Sequence, residues 1–331
     1  MTAREWNPGE LLEISGFFWK TCLLQTAVKM DVFTVIGDRR LSPEEVSHQL
    51  EGAGRGVERL LNALVAMELL AKKDGKFVNT PSGSELLAKD SPKYLGHIIM
   101  HHHHLLESWS QLDQAVKSGK PQRSRSSYSK EEWRESFLMG MFNLAMGLAP
   151  VIVPAIDVTN RQHLLDLGGG PGTYAIHFCL NNEHLKATVY DLPTTRPFAE
   201  KTIKQFKLTD RINFMDGNYL NDPVEGRYDV AWLSHILHGE GPDDCRMIIQ
   251  KAVDALESGG MIIVHDFILN NSMDGPLFPA LFSLNMLLGT ESGQSYSEEQ
   301  IIDMLVAAGA KDIRRIVLQS PNDSGIIIGN V

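Results

Sequence analysis

Cysteine is scarce. Cys22, Cys179 and Cys245 are the only three in 331 residues, widely spaced and without a CxxC pair. An odd, scattered set indicates neither a disulfide framework nor a cysteine zinc cage, and fits a reducing compartment. Basic charge is short as well: 31 Lys and Arg stand against 41 Asp and Glu, a formal charge of −10. That balance argues against a surface built for nucleic acid. No apolar run is read as reaching the roughly 18 residues of a membrane span. The opening MTAREWNPGELLEI lacks the basic-then-apolar order of a secretory leader. The expectation is a cytoplasmic protein with no nucleic-acid and no membrane partner. There are no internal repeats.

What is present belongs to a globular chain, 43% hydrophobic and 22% charged. Its length predicts two domains, here placed at 1–120 (mainly helical) and 121–331 (α/β). From Leu11 to Ile36 apolar residues recur at helical spacing on more than one face, which hints at a subunit interface. Ser42-Pro43-Glu44-Glu45 reads as a helix start. Gly56–Leu70 reads as a second amphipathic helix, and Asp74-Gly75 as a hairpin turn. Helix, helix, hairpin is the winged-helix order. The candidate recognition helix carries Arg59 against Glu58 and Glu68, too little positive charge for phosphates, so a structural or dimerising module is expected. In GHIIMHHHHLLESWSQL a stripe through Leu95, Ile98, His102, Leu105, Trp109, Leu112 and Val116 predicts that His102 faces inward. His97, His101 and His104 share another face, but no second cluster supplies further ligands, so no metal is expected.

Lys117–Trp133, rich in Ser, Lys and Arg, reads as a loop or boundary. After it the pattern becomes α/β. Strands are predicted at His163–Leu167, Ala187–Asp191, Ile212–Met215, Tyr228–Leu233, Met261–Asp266, Ile313–Leu318 and Gly325–Val331. Helical patterns separate the first five, which predicts a parallel doubly wound sheet. The last two are joined by QSPNDS, short enough for a hairpin, so an antiparallel closing strand is expected.

HLLDLGGGPGTY puts Asp166, Gly168, Gly170 and Gly172 between the first strand and a helix start. Such glycines serve a tight turn, or let a ligand approach backbone N–H groups at a helix N-terminus. Asp191, ending the next strand in VYDLP, can accept hydrogen bonds from both hydroxyls of a ribose. The loop is not a dinucleotide fingerprint: counting from Gly168, the last position of G-x-G-x-x-G is Thr173. At SHILHGEGPDD two histidines, His235 and His238, end the fourth strand, and either could serve as a base.

Taken with RINFMDGNYLNDP, ESGGMIIVHDFIL and NMLLGTESGQSYSEEQI, these motifs resemble the class I S-adenosylmethionine-dependent small-molecule O-methyltransferases of the caffeate and acetylserotonin type. The resemblance covers nearly the whole chain. It implies a Rossmann-like methyltransferase domain behind an N-terminal winged-helix dimerisation domain, a homodimer, S-adenosyl-L-methionine as cofactor, a small-molecule methyl acceptor and no metal. By the resemblance Asp166, Gly168, Gly170 and Gly172 form the cofactor loop, Asp191 is the ribose acid and Leu192 lies beside the adenine. Asp216, Gly217, Asn218 and Tyr219 flank the adenine, with Asn218 where the family has Asp. Ser234 lines the ribose or sulfur end. His238 matches the base and Asp266 the acid that orients it, one methylene shorter than the family's Glu. His235, Phe137, Met141, Phe282, Asn285 and Met286 are expected around the acceptor. Two departures stand out. The Asp-Trp that follows the base is Gly239-Glu240, and a second family Glu is Ser295. The alternatives are methylation at sulfur, carbon or nitrogen, a cofactor-binding relative with a non-methylating reaction, and, in a different class, a winged-helix regulator.

Overall fold

A computed structural model describes residues 4–125, 131–316 and 323–331, and the chain divides into two compact units, Met1–Leu105 and Leu106–Val331. The first unit begins with α1 (Pro8–Gly16), where Asn7 and Glu10 form a capping box, followed by α2 (Phe18–Lys29) and α3 (Val32–Ile36). Next come α4 (Pro43–Gln49), α5 (Gly54–Ala66), the antiparallel pair β1 (Leu70–Lys73) and β2 (Lys76–Asn79), then α6 (Pro81–Leu87) and α7 (Gly96–Trp109). Ser42 and Glu45 cap α4 reciprocally, as the sequence indicates. Asp74 and Gly75 both take left-handed φ (52° and 74°), the twist a two-residue hairpin demands. Helix α5 stops at Ala66, four residues before the expected Leu70. Glu68 turns left-handed (φ 59°) while the Leu69 N–H reaches back to Leu64 O, and this delivers Leu70 to the strand. Phe33, Ile36, Leu61, Leu64, Leu70 and Phe77 close the core.

The apolar face that hints at a subunit interface is open in the single chain: Leu12 and Trp19 are each 73% exposed, with Phe17 and Phe18 exposed beside them, while Ala27 and Val28 at the end of α2 are buried. One expectation in this unit changes. In α7 the buried positions are Gly96, Ile98, His101, Leu105 and Ser108, and His102 is exposed. Ile98 and Leu105 of the predicted stripe are buried, but His101 takes the inward place expected of His102.

Helices α8 (Leu112–Ser118) and α9 (Glu131–Ile152) lead the second unit. Then β3 (His163–Leu167), α10 (Thr173–Asn181), β4 (Lys186–Asp191), α11 (Arg196–Gln205), β5 (Ile212–Asp216), β6 (Tyr228–Ser234), α12 (Pro242–Asp254) and β7 (Leu256–Phe267) alternate. The unit closes with α13 (Leu277–Gly289), α14 (Glu298–Ala307), β8 (Lys311–Ile316) and β9 (Ser324–Asn330). Among the described residues the sheet has seven strands in the order β5-β4-β3-β6-β7-β9-β8. The first five are parallel, and β9 runs antiparallel to both β7 and β8, as expected. Strand β7 starts five residues before the predicted Met261, because Leu256 already pairs with Tyr228. Val317, Leu318 and most of QSPNDS lie outside the described residues.

Both sheet faces are covered, so the strands carry core residues on each side. Leu164, Trp232 and Ile263 face α9 and α10, whereas Leu165, Leu233 and Ile262 face α12 and α14. One reading needs correction. Trp133–Ala155 is long and apolar enough to cross a membrane by length and composition. Ser136, Gly140, Asn143 and Gly147 punctuate it without adding charge, which hid the run. Its Ala149, Ile152 and Val153 are core residues beside Tyr174, Ile176 and Phe178. Strand order reverses between β3 and β6, and the carboxyl ends beside that switch point are where ligands of such sheets bind.

Candidate active site

Strand β3 delivers Asp166 to a turn in which Gly168, Gly170 and Gly172 all take left-handed φ (68°, 54° and 77°), Gly172 being the N-cap of α10. Gly169, which sequence reasoning passed over, is needed for a different reason: a Cβ there would stand 2.6 Å from Asp166 Cγ. Asp166 is 1% exposed. Its Oδ2 accepts from the Ala175 N–H at 3.2 Å, while Oδ1 is buried without a hydrogen-bond partner. Burial pushes this carboxyl up to about 7, the Ala175 N–H pulls it part of the way back, and the Asp191 charge adds to the rise.

Asp191, at the end of β4, gathers the neighbouring loop. It accepts from the Gly170 N–H at 2.8 Å, the Leu192 N–H at 2.7 Å and Thr195 Oγ1 at 2.9 Å. Burial still leaves its carboxyl above the ordinary range despite these bonds. Thr195 is a residue the sequence reading missed; the adjacent TT after VYDLP was the available signal. The Gly217 N–H donates to Asp191 O at 3.0 Å, and Gly217 lies so close to Tyr190 that a Cβ would fall 2.1 Å from its hydroxyl. Tyr219 packs by Gly168. The side chains of Asp216 and Asn218 have other partners: Asp216 pairs with Arg196 at 2.8 Å, and Asn218 Oδ1 accepts from the Leu220 N–H at 2.9 Å. Ser234 Oγ lies 2.9 Å from His265 Nδ1, and His265 Nε2 lies 3.1 Å from Ser324 Oγ. Burial first, then the neighbouring His235, holds His265 well below the usual histidine range.

Asp266, at the end of β7, hydrogen-bonds one candidate base and lies near the other. His238 Nδ1 sits 2.6 Å from Asp266 Oδ1, and His235 Nδ1 sits 3.5 Å from the same oxygen. The Phe267 N–H adds a 2.8 Å bond to Oδ1 and the His238 N–H a 3.3 Å bond to Oδ2. Burial alone would raise Asp266, but the charge and hydrogen bond of His238, with the charge of the nearby His235, outweigh it and hold the carboxyl far below its ordinary range. A carboxylate so held accepts from Nδ1–H and leaves Nε2 as the imidazole's lone-pair nitrogen. His235 keeps a left-handed backbone (φ 56°), fixed by its N–H on His265 O at 2.8 Å. Phe267 and Phe282 wall the pair, the Phe282 ring centroid 4.7 Å from that of His238 and Phe278 stacking on Phe282. The three ligand-type atoms of His235, His238 and Asp266 lie within 4.8 Å of one another.

Ser295 does not reach the histidines: its Oγ donates to Pro279 O at 2.9 Å. Asn285 Oδ1 accepts from Arg123 Nη2 at 3.0 Å, and Met286 is buried. Phe137 and Met141 stand one turn apart and half-buried on α9. Glu240 is 2% exposed. Its carboxylate takes Arg125 on both oxygens, at 2.5 and 2.6 Å, and the Tyr219 hydroxyl at 3.1 Å. Neither Arg125 nor Glu240 was singled out from sequence for a site role.

Comparison with known proteins gives the family and the fold. A curated relative, 3-hydroxy-5-methyl-1-naphthoate 3-O-methyltransferase of Streptomyces sahachiroi, is 29% identical over 328 residues, 97% of this chain and 95% of the relative. The solved structure of an O-methyltransferase family protein from Burkholderia thailandensis superposes with a TM-score of 0.88 at 26% identity, covering 99% of this chain and 98% of that one. The human N-acetylserotonin methyltransferase, solved in complex with S-adenosylmethionine, shares the fold with a TM-score of 0.86 at 24% identity, covering 100% of this chain and 99% of that one. Residues 12–89 match an O-methyltransferase dimerisation domain and residues 109–311 an O-methyltransferase domain, so the chain belongs to the S-adenosylmethionine-dependent O-methyltransferase family, enzymes that methylate small molecules.

Proposed function

We propose that the accepting hydroxyl sits on a planar aromatic molecule and gives its proton to His238 Nε2. The observation that carries this reading is the 2.6 Å contact of His238 Nδ1 with buried Asp266. Asp266 fixes the tautomer and ring direction, and balances the imidazolium that forms when Nε2 takes the proton. Phe267 and Phe282 offer ring faces and edges to an aromatic acceptor and exclude water beside the base. The naphthoate named for the Streptomyces sahachiroi relative is an acceptor of that shape.

The residues of the glycine turn fit the cofactor. Asp166 Oδ1, buried and unpartnered, suits a cationic group, and the glycine turn before α10 leaves room for close backbone approach. We assign Asp166, Gly168, Gly170, Gly172, Asp191, Leu192, Gly217, Tyr219 and Ser234 to holding it, with Asp216 and Asn218 at the rim. S-adenosylmethionine, when bound, supplies an electrophilic methyl group. The protein's part is to position the acceptor oxygen and to take its proton at Nε2. The working unit in this reading is a homodimer in contact through the exposed apolar face of α1 and α2, residing in the cytoplasm, where its three free cysteines stay reduced.

A labelled-methyl screen over hydroxynaphthoic acids, simple phenols, enols, thiols and amines tests the proposal. Label should move to aromatic hydroxyls, and His238→Ala should abolish the transfer. Transfer to thiols or amines alone, or a fully active His238→Ala, would refute it.

A further inference from the structure

The Gly239-Glu240 pair departs from the family pattern beside the base, and the fold gives it a partner. The stretch 121–125 runs along α13, the Gln122 and Arg123 N–H groups both donating to Leu288 O at 2.9 and 3.1 Å. Arg123 Nη2 adds bonds to Asn285 O and Oδ1. Two residues on, Arg125 turns to the other side, binding both Glu240 carboxylate oxygens and donating to Gly239 O. Gly239 ends the single helical turn Leu237–Gly239 that carries His238. The same turn is held from beneath by Tyr296, whose hydroxyl donates to Glu240 O at 2.6 Å, and by Cys245 Sγ on Leu237 O at 3.2 Å. Tyr219, beside the glycine turn, donates to Glu240 Oε1 from the cofactor side.

We propose that Arg125 and Glu240 form a positioning pair that fixes the His238 turn relative to the cofactor loop and to α13. This extends the reading of His238 as base and rests on it. A buried ion pair is poor evidence of a stabilising role, because apolar residues of like volume commonly do as well. A bidentate pair that also grips the carbonyl next to the base earns its place through geometry. Nothing in the pair touches the reacting atoms; it acts through His238.

The test compares Arg125→Met, Arg125→Lys and the double variant Arg125→Met/Glu240→Met with the full-length enzyme. Thermal unfolding reports the structural part. S-adenosylhomocysteine binding by calorimetry reports the cofactor site. The low-field proton resonance of the His238 Nδ1–H, assigned by its loss in His238→Gln, reports the base without needing any acceptor, so failure of the acceptor assignment leaves this readout standing. Arg125→Met should lose or shift that resonance and cut kcat by about 10²-fold, the scale of a reacting group displaced by an ångström, with acceptor KM changed less than about threefold on the same argument that binding contacts are untouched. Arg125→Lys should recover part of the rate. The double variant should recover thermal stability but neither the resonance nor kcat. If the double variant regains both stability and kcat, or if Arg125→Met keeps the wild-type resonance and rate, the pair is packing only and the proposal is wrong.

Discussion

Replacing Asp266 by Asn removes one negative charge from a site where two imidazoles converge on it, and the size of the effect follows from the geometry. With His238 Nδ1 2.6 Å from Oδ1, the imidazolium and carboxylate charge centres stand about 4 Å apart. At an effective dielectric of about 20 their attraction is about 4 kcal/mol. That attraction exists only once His238 has taken the acceptor's proton, so it lowers the barrier and leaves the ground state alone. Losing it predicts a fall of about 10³-fold in kcat. An amide that offers its NH₂ to Nδ1 would also favour the wrong tautomer, a defect that costs about 10⁴-fold in serine-protease triads. Cofactor binding should survive, since among the described residues the Asp266 carboxylate hydrogen-bonds His238 and Phe267 and lies beside His235, none of them in the glycine turn. The assay is single-turnover methyl transfer, with S-adenosylhomocysteine affinity measured in parallel. Acceptors with more acidic hydroxyls need less help from a base, so the deficit should shrink along a series of increasing hydroxyl acidity. An Asp266→Asn enzyme within about threefold of wild type, or a deficit independent of acceptor acidity, would show that proton transfer to an Asp266-held His238 does not limit the reaction.

Asp166 gives the protein a pH dependence of stability with a defined sign. Because its folded pKa is raised to about 7 from 3.8, the folded chain keeps a proton that the unfolded chain has released. Stability from this group is therefore full below about pH 4 and is lost as pH rises through about 7, with a ceiling of about 4 kcal/mol. Asp166→Asn should be more stable than wild type at about pH 8 without cofactor, and the gap should close at about pH 4; a gap unchanged in denaturant titrations at the two pH values would contradict the assignment. Gly169→Ala, forcing Cβ onto Asp166, should weaken S-adenosylhomocysteine binding by more than tenfold (about 1.4 kcal/mol). Gly170→Ala meets no atom within 4 Å and should cost only its left-handed backbone, about 1–2 kcal/mol of stability; equal binding losses for the two would refute the distinction. Trp19→Glu, at an apolar position 73% exposed in the single chain, should turn a dimer into a monomer in sedimentation, whereas an unchanged sedimentation coefficient would place the interface elsewhere.

The parts of this molecule that could be read from sequence are those set by local rules. Short apolar runs separated by helical patterns located β3 through β7 because the central strands are covered on both faces, and Ser42-Pro43-Glu44-Glu45 announced α4 because capping is settled within four residues. The glycine turn was legible for the same reason: left-handed φ at Gly168, Gly170 and Gly172 is a local demand. Errors arose where the letters alone left a pattern ambiguous. In the run of four histidines of α7 the inward position is His101, one residue from the His102 expected. The apolar length of α9 was concealed by Gly, Ser and Asn that interrupt the letters without charging the helix.

What sequence could not show is pairing over distance. Glu240 looked like a lost Trp, and Arg125 like one more basic residue in a loop, because 115 positions separate them. Only the folded chain brings stretch 121–125 to the end of β6, and only then does the broken pattern become a charge pair. The energetic logic runs the same way. A carboxylate 2% exposed cannot persist unpaired, so the loop arginine and the turn carrying His238 must hold their places together. A chain with Gly-Glu after the base needs a cation such as Arg125 against Glu240, so this departure and the loop arginine form one coupled feature.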